Sequence, residues 1–391
     1  MQNNLFDNID IAFRYKSYKD LKKTRFIFKY FFKNWLIAIA RIKLNILLKL
    51  KLNFLVKIFV KPTVYKIFCG GENLEEAIKT AQHLNNYNVK SILDYAAEEA
   101  KSLKNAEQTF QEILKLIDTV KNYEFIPFTV FKPSGLCPSS ILEKKSAGIK
   151  LSEDEKIYYE KFLFYVNELC KKSYENNIPI LIDAEYVSTQ EIVDSVILEM
   201  MLKYNKNKAI VYNTLQMYRK DRLQYLKNMH QKAIRDNFYL GIKIVRGAYL
   251  EQERKIAKRN NTISPVFDTK EETDNSYNEA LAYCLKHIDR IALFSGTHNE
   301  QSNYLMINLM KEYNIPKNDK RVFSSQLYGM SDHISFNLAN EGYNVAKYIP
   351  FGKVKITIPY LLRRADENKS IGSQVSRELK LIEQAIKDRK N

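Results

Sequence analysis

Tyr360, Arg363, Arg364 and Glu367 recur at i, i+3, i+4 and i+7 and so share one face of a predicted helix, with Leu361, Leu362 and Ala365 to one side of that stripe. Two adjacent guanidinium groups beside a phenol make a clamp for a small planar anion, because each arginine offers forked donors that match a carboxylate. The same four residues also describe a solvated helix face laced by Arg–Glu pairs. The choice between clamp and surface turns on what the rest of the chain delivers.

Beyond Pro62, eight short β-rich runs follow in order, at residues 89–94, 128–132, 178–183, 209–212, 242–246, 291–294, 321–323 and 345–349. The segments between them are mostly roughly 20–50 residues with helical periodicity, long enough for crossover helices. Eight such units predict an α/β fold, a (β/α)8 TIM-type barrel over residues 63–391, with its active site at the C-terminal ends of the strands. The polar residues obey that rule. Asp94, Lys132, Asp183 and Glu185, Gln216, Arg246 and Tyr249, Thr297 and His298, Gln326, and Tyr348 sit at or just after successive strand ends. Eight strands each delivering a polar or aromatic residue at the same end describe a lined pocket, which turns the reading of the arginine pair toward a substrate clamp.

Composition narrows the class. The chain of 391 residues is 45% hydrophobic, enough for one large core. Cys69, Cys137, Cys170 and Cys284 form no CxxC pair and no metal-like spacing with the histidines, so reduced cysteines are expected and neither zinc nor disulfides. The net charge of +17 is concentrated: between Arg14 and Lys61, 14 Lys or Arg face one acid, Asp20. That leaves only about +4 for the remaining chain, so a nucleic-acid partner is not expected. Residues 1–62 read as a basic, amphipathic helical segment. Its longest apolar run, Trp35 to Ala40, is far short of the roughly 20 residues that span a bilayer. Basic helices of this kind either lie on an anionic membrane surface or cap the barrel. No signal peptide is evident, and no Arg/Ser-rich, acid-poor presequence. A cytoplasmic location is expected, at the inner face of the membrane if those helices bind lipid, or the mitochondrial matrix in a eukaryote.

Eight motifs in order carry a resemblance. They are FxxGE (68–72), LDYAAEE (93–99), LIDAE (181–185), VRGAYLxxER (245–254), THN (297–299), QLYGM (326–330), KYIPFG (347–352) and YLLRRxxEN (360–368). From about Phe68 to Ser370 the chain resembles the proline dehydrogenases, FAD-dependent barrel enzymes that oxidise L-proline to Δ1-pyrroline-5-carboxylate. It is similar to the monofunctional form, since no aldehyde dehydrogenase domain follows.

The resemblance implies roles. Arg363 and Arg364 would grip the proline carboxylate, with Lys132 as a further cationic contact. Tyr249, Tyr348 and Tyr360 would wall the ring and keep water from the reacting carbon. A tyrosine at 348 leaves little room for a ring hydroxyl and so favours proline over hydroxyproline. Asp183 matches an aspartate beside flavin and substrate, as an orienting charge or as a general base. Glu98 matches an acid that closes the site on one arginine; from the residues alone it is equally a solvent-facing glutamate. The chain has no GxGxxG and no P-loop, so the resemblance places FAD on strand-end residues instead. These are Gln216, Lys243, Val245, the Gly247-Ala248 backbone, Lys270, Thr297, His298 and Glu367. Lys243, matched to a position beside flavin N5, stands where some bacterial relatives carry arginine: it keeps the charge and loses the fork. Hydride would pass to flavin N5, electrons onward to a membrane quinone, and the product to a separate pyrroline-5-carboxylate dehydrogenase. Two other readings remain open at this point, a hydroxyproline-oxidising flavoenzyme and an inert barrel serving as a membrane scaffold.

Overall fold

The computed structural model describes residues 4–30, 54, 58, 60–97 and 99–390, and the side chains of 364–375 lie outside that description. Most of the basic stretch 31–59, Glu98, and the side chains of Arg364 and Glu367 are therefore outside the described residues.

Eight parallel strands follow in chain order around a closed barrel: β1 (Lys90–Tyr95), β2 (Phe128–Phe131), β3 (Ile180–Ile182), β4 (Val211–Gln216), β5 (Leu240–Val245), β6 (Ile291–Gly296), β7 (Val322–Leu327) and β8 (Val345–Phe351). At least one helix follows each strand. All eight expected runs are strands, but the fourth and seventh extend further than their apolar onset suggests. Gln216 and Gln326 accordingly lie inside β4 and β7. Polar side chains at the strand ends break the apolar pattern without breaking the backbone ladder.

Local chemistry punctuates the chain. The helix Glu153–Glu175 opens with a capping box in which Ser152 and Glu155 satisfy each other's backbone N–H. Its buried side chains, Phe162, Tyr165, Val166, Leu169, Cys170 and Ser173, keep the helical period. It ends at Asn176, and Asn177 then takes a left-handed φ of 57° before β3. Asn88, Asn237 and Asn314 do the same before β1, β5 and β7. Asparagine tolerates that region better than other side chains, so it marks where helices give way to strands.

By internal contacts the chain divides into two compact units, Ala97–Thr297 with Ser302–Phe323, and Met1–Ala96 with His298–Gln301 and Ser324–Asn391. In the first, β2 to β6 pair in register, and the Phe128 ring meets those of Tyr212, Phe294 and Phe323 edge-on, 4.9 Å from Phe323 and 5.2 Å from Phe294. In the second, β8 pairs with β1 and β7. There Phe13, Leu21, Ile27 and Phe28 from the N-terminal helices bury against Ile358, Leu361, Ile382 and Ile386 of the helix Val354–Asp388. The described part of the N-terminal segment is thus a share of that unit's core. Among the described residues, no helix is long and apolar enough to cross a membrane.

Candidate active site

In the unit Ala97–Thr297 with Ser302–Phe323, the ends of β2, β3 and β5 bring three charges together. Lys132 follows β2 and reaches Asp183 Oδ2 at 3.3 Å. Lys243, within β5, donates to Asp183 Oδ1 at 2.6 Å. Asp183 follows β3 directly. Both carboxylate oxygens therefore face ammonium groups at partly or fully buried positions, where charge-assisted bonds are strong.

Two residues on, Glu185 does different work. Its carboxylate accepts the Ser134 N–H at 2.7 Å and the Ser134 hydroxyl. Burial pushes its carboxyl up, opposed by the two Ser134 bonds and by the Lys132 charge. Its backbone carbonyl accepts from Gln216 Nε2 at 2.6 Å, and Gln216 Oε1 accepts from the Ala248 N–H at 3.3 Å. Beyond Val245, the last residue of β5, Gly247 has φ 130°, and a Cβ there would overlap the Tyr218 ring, so only glycine fits. The rings of Tyr249 and Tyr186 lie 4.4 Å apart.

Arg246 organises the next strand ends. It donates to Asp274 at 2.6 Å, Thr297 at 2.6 Å and Ser302 at 3.0 Å, with its guanidinium over the Tyr277 ring. Lys270, expected to hold the cofactor, is paired with the other Asp274 oxygen and is half-exposed.

The second unit holds the remaining candidates. Tyr348 is buried in β8, and its carbonyl accepts the Tyr328 N–H at 2.9 Å. Tyr360 is buried on the helix Val354–Asp388, while Arg363 one turn later is half-buried. His298 Nδ1 lies 2.9 Å from the Ser331 hydroxyl, and the Ser331 and Asp332 N–H groups donate to Glu378 at 2.7 and 3.2 Å. Beneath them, fully buried Lys347 pairs with Asp332 at 2.9 Å, while Tyr15 and Lys16 each donate to the other Asp332 oxygen at 2.7 Å. Burial pulls the Asp332 carboxyl upward, but the Lys16 and Lys347 ammonium groups override it and hold it well below the usual carboxylate range. Burial also works against the Lys347 charge. The convergence of three donors on Asp332 favours the ionised pair.

A sequence model of the proline dehydrogenase family matches residues 77–377. The chain belongs to that family. The carbapenem antibiotics biosynthesis protein CarD of Pectobacterium carotovorum is 35% identical over 83% of this chain and 84% of its own length. Proline dehydrogenase 1, mitochondrial, of Dictyostelium discoideum is 32% identical over 99% of this chain and 76% of its own. Hydroxyproline dehydrogenase of Xenopus laevis is 29% identical over 84% and 78% respectively. Among solved structures, proline utilization A from Bdellovibrio bacteriovorus superposes with TM-score 0.70 at 21% identity, over 78% of this chain and 32% of that one. The chain spans about a third of that structure's length, and at this identity the match speaks for the fold.

Proline dehydrogenases are FAD-dependent, and the residues present suit such a group. Lys243, Arg246 and Lys270 supply cationic donors, Gln216 and Thr297 neutral ones, all in one unit. The Gly247 position keeps side-chain bulk away from the backbone turn after β5.

What the sequence alone missed is the role of Glu185 and Arg246, both noted only as strand-end polar residues. A signal existed for Glu185. Asp183 and Glu185 lie two apart directly after β3, two acids together at one strand end.

Proposed function

We propose that this chain is an FAD-dependent dehydrogenase that oxidises L-proline to Δ1-pyrroline-5-carboxylate. The observation that carries the reading is the Asp183 carboxylate held between Lys132 and Lys243 at the ends of three strands. What FAD supplies when bound is acceptance of hydride from the ring carbon next to nitrogen.

The chain's own residues bind and orient. Arg363 and Arg364 take the substrate carboxylate in forked bonds, and Lys132 adds a third positive charge. Tyr249, Tyr348 and Tyr360 wall the saturated ring and exclude water. Gln216, Val245, the Gly247-Ala248 backbone, Lys270, Thr297, His298 and Glu367 hold the cofactor, and Glu98 closes the site. The ring nitrogen gives up its proton to solvent before the adjacent C–H bond breaks, and its electron pair then forms the C=N bond. With both Asp183 oxygens engaged by ammonium groups, an orienting and electrostatic role suits this residue better than that of a base. Alignment replaces the costly meeting of two free partners and supplies much of the rate gain.

Hydroxyproline is the second candidate, since one relative carries that substrate in its name. Tyr348 favours proline, because a ring hydroxyl needs the room that the tyrosine fills. The deciding experiment is an anaerobic absorbance spectrum of the purified protein before and after L-proline. We expect a flavin band that bleaches with proline and much less with hydroxyproline. A band unmoved by proline rejects the substrate, and no flavin at all, even after added FAD, rejects the enzyme in favour of an inert scaffold.

The clamp has its own test. Arg363→Met and Arg364→Met are each expected to raise KM for proline at least tenfold, about 1.4 kcal/mol or more of binding. An unchanged KM in initial-rate assays removes the residue from the clamp.

In the same reading, electrons leave to a membrane quinone, and the enzyme rests on an anionic membrane surface. The helix Tyr18–Tyr30 supports this by exposing Lys19, Lys22, Lys23, Arg25, Phe26 and Lys29 on the side away from its buried Leu21, Ile27 and Phe28. Because those buried residues belong to the core, deletion of the segment is a poor test. Lys22→Glu with Lys23→Glu and Arg25→Glu should instead weaken co-sedimentation with anionic vesicles while leaving dye-linked turnover intact. Equal vesicle binding by both proteins counts against the membrane role.

A further inference from the structure

The geometry points to Glu185 as a positioning residue that holds Lys132 at the substrate. This rests on the proline reading above, and it adds a residue with no assigned role in that reading.

Lys132 comes directly after β2 and is followed at once by the buried turn Pro133–Gly135. A lysine side chain is a flexible stem with a strongly hydrated head, so its ammonium is only as well placed as the backbone that bears it. That backbone is clasped from both sides. Glu185 takes both Ser134 donors, backbone N–H and hydroxyl, in a fork no other residue type of that length makes. From the opposite side the Ser134 carbonyl accepts the Ala100 N–H at 2.7 Å. The clasp thereby joins the turn carrying Lys132 to the segment after β1, where Glu98 lies in the sequence.

The other half of Glu185 fixes a second candidate. Its carbonyl holds the Gln216 carboxamide, whose remaining oxygen accepts from Ala248. One residue thus ties the ends of β2, β3, β4 and β5, and Asp183, two positions earlier on the same backbone, meets Lys132 and Lys243. A half-buried glutamate placed merely to fill space would lose hydration of its charge for nothing. Here each carboxylate oxygen meets a donor on the turn that carries the substrate-facing lysine.

Glu185→Gln tests this, because a carboxamide offers one acceptor oxygen where the turn presents two donors, and its NH2 opposes the other. In the full-length, FAD-loaded enzyme we expect KM for L-proline to rise about tenfold while kcat falls less than threefold. Lys132→Met should then cost much less in the Glu185→Gln background than in the wild type, since the lysine is already misplaced. Ser134→Ala, which removes only the hydroxyl, should give a smaller effect in the same direction, and Glu185→Asp should not restore KM because its carboxylate falls short of the turn. A substrate-free arm separates this inference from the proline reading: amide hydrogen exchange of the peptide spanning residues 132–136 should quicken about tenfold in Glu185→Gln. Unchanged exchange there, or full additivity of Glu185→Gln with Lys132→Met, overturns the positioning role. Failure of the wild type to turn over proline overturns the functional reading instead and leaves the exchange result to judge the clasp. Should Glu185→Gln not fold, Ser134→Ala carries both arms, and wild-type exchange and KM in that variant reject the inference.

Discussion

Asp183→Asn is expected to lower kcat/KM for L-proline by about 10²–10³-fold, the loss typical of removing one preorganised electrostatic group, or about 2.7–4 kcal/mol. The substitution keeps the shape and deletes the charge. Lys132 and Lys243, at 3.3 and 2.6 Å from its oxygens, then face a neutral amide whose NH2 opposes one of them. Their repulsion is no longer balanced, and both ammonium groups move from where the substrate needs them. The pH profile separates the two roles open for Asp183. If it orients, the acid limb set by the proline amine keeps its shape in the variant and only the height falls. If it is the base, that limb changes form. A variant within threefold of wild-type kcat/KM would sink both.

Asp332→Asn should cost about 3–5 kcal/mol of stability, because it leaves buried cations without their counter-charge. Lys347 is fully buried, Lys16 nearly so, and both bond Asp332, as does the Tyr15 hydroxyl. The sum of these contacts joins the turn between the N-terminal helices to β8 and the helix Asp332–Asn340, more than 300 positions further along the chain. Urea unfolding followed by far-UV circular dichroism checks the number, with the midpoint falling at similar slope. Lys347→Met in the Asp332→Asn background should recover part of the loss, since an apolar replacement of one charge removes its unpaired partner. A loss under about 1 kcal/mol would show that the pair is not ionised when folded. The acid side adds a check on sign. Asp332 is held below its unfolded pKa, so its contribution is fully present above the ordinary carboxylate range and lost as pH falls through the lower folded value. The wild type should therefore lose stability toward low pH more steeply than Asp332→Asn.

Much of the candidate site was legible because its carriers are local. Asp183 and Glu185 sit two apart at the end of an apolar run, and Arg246, Gly247 and Tyr249 follow another. Strand ends can be read because a side-chain period of two stops where turn residues begin. Strand lengths were read less well. β4 and β7 run on through Gln216 and Gln326, since a barrel's inward positions near the mouth are polar while the ladder continues.

By itself the sequence determined eight repeated strand-and-helix units, the charge concentrated between Arg14 and Lys61, and the motifs that place the chain in its family. Each of these is a property of neighbours along the chain, and spacing records it. Tertiary structure alone decided which charges are paired. Lys243 meets Asp183 across 60 positions, Ser134 meets Glu185 across 51, and Lys16 meets Asp332 across 316. Nothing in local composition ranks one distant carboxylate above another for a given lysine. Only the closed path of the backbone, with register set strand by strand, brings particular heads within hydrogen-bond reach and so separates a clasp from a clamp.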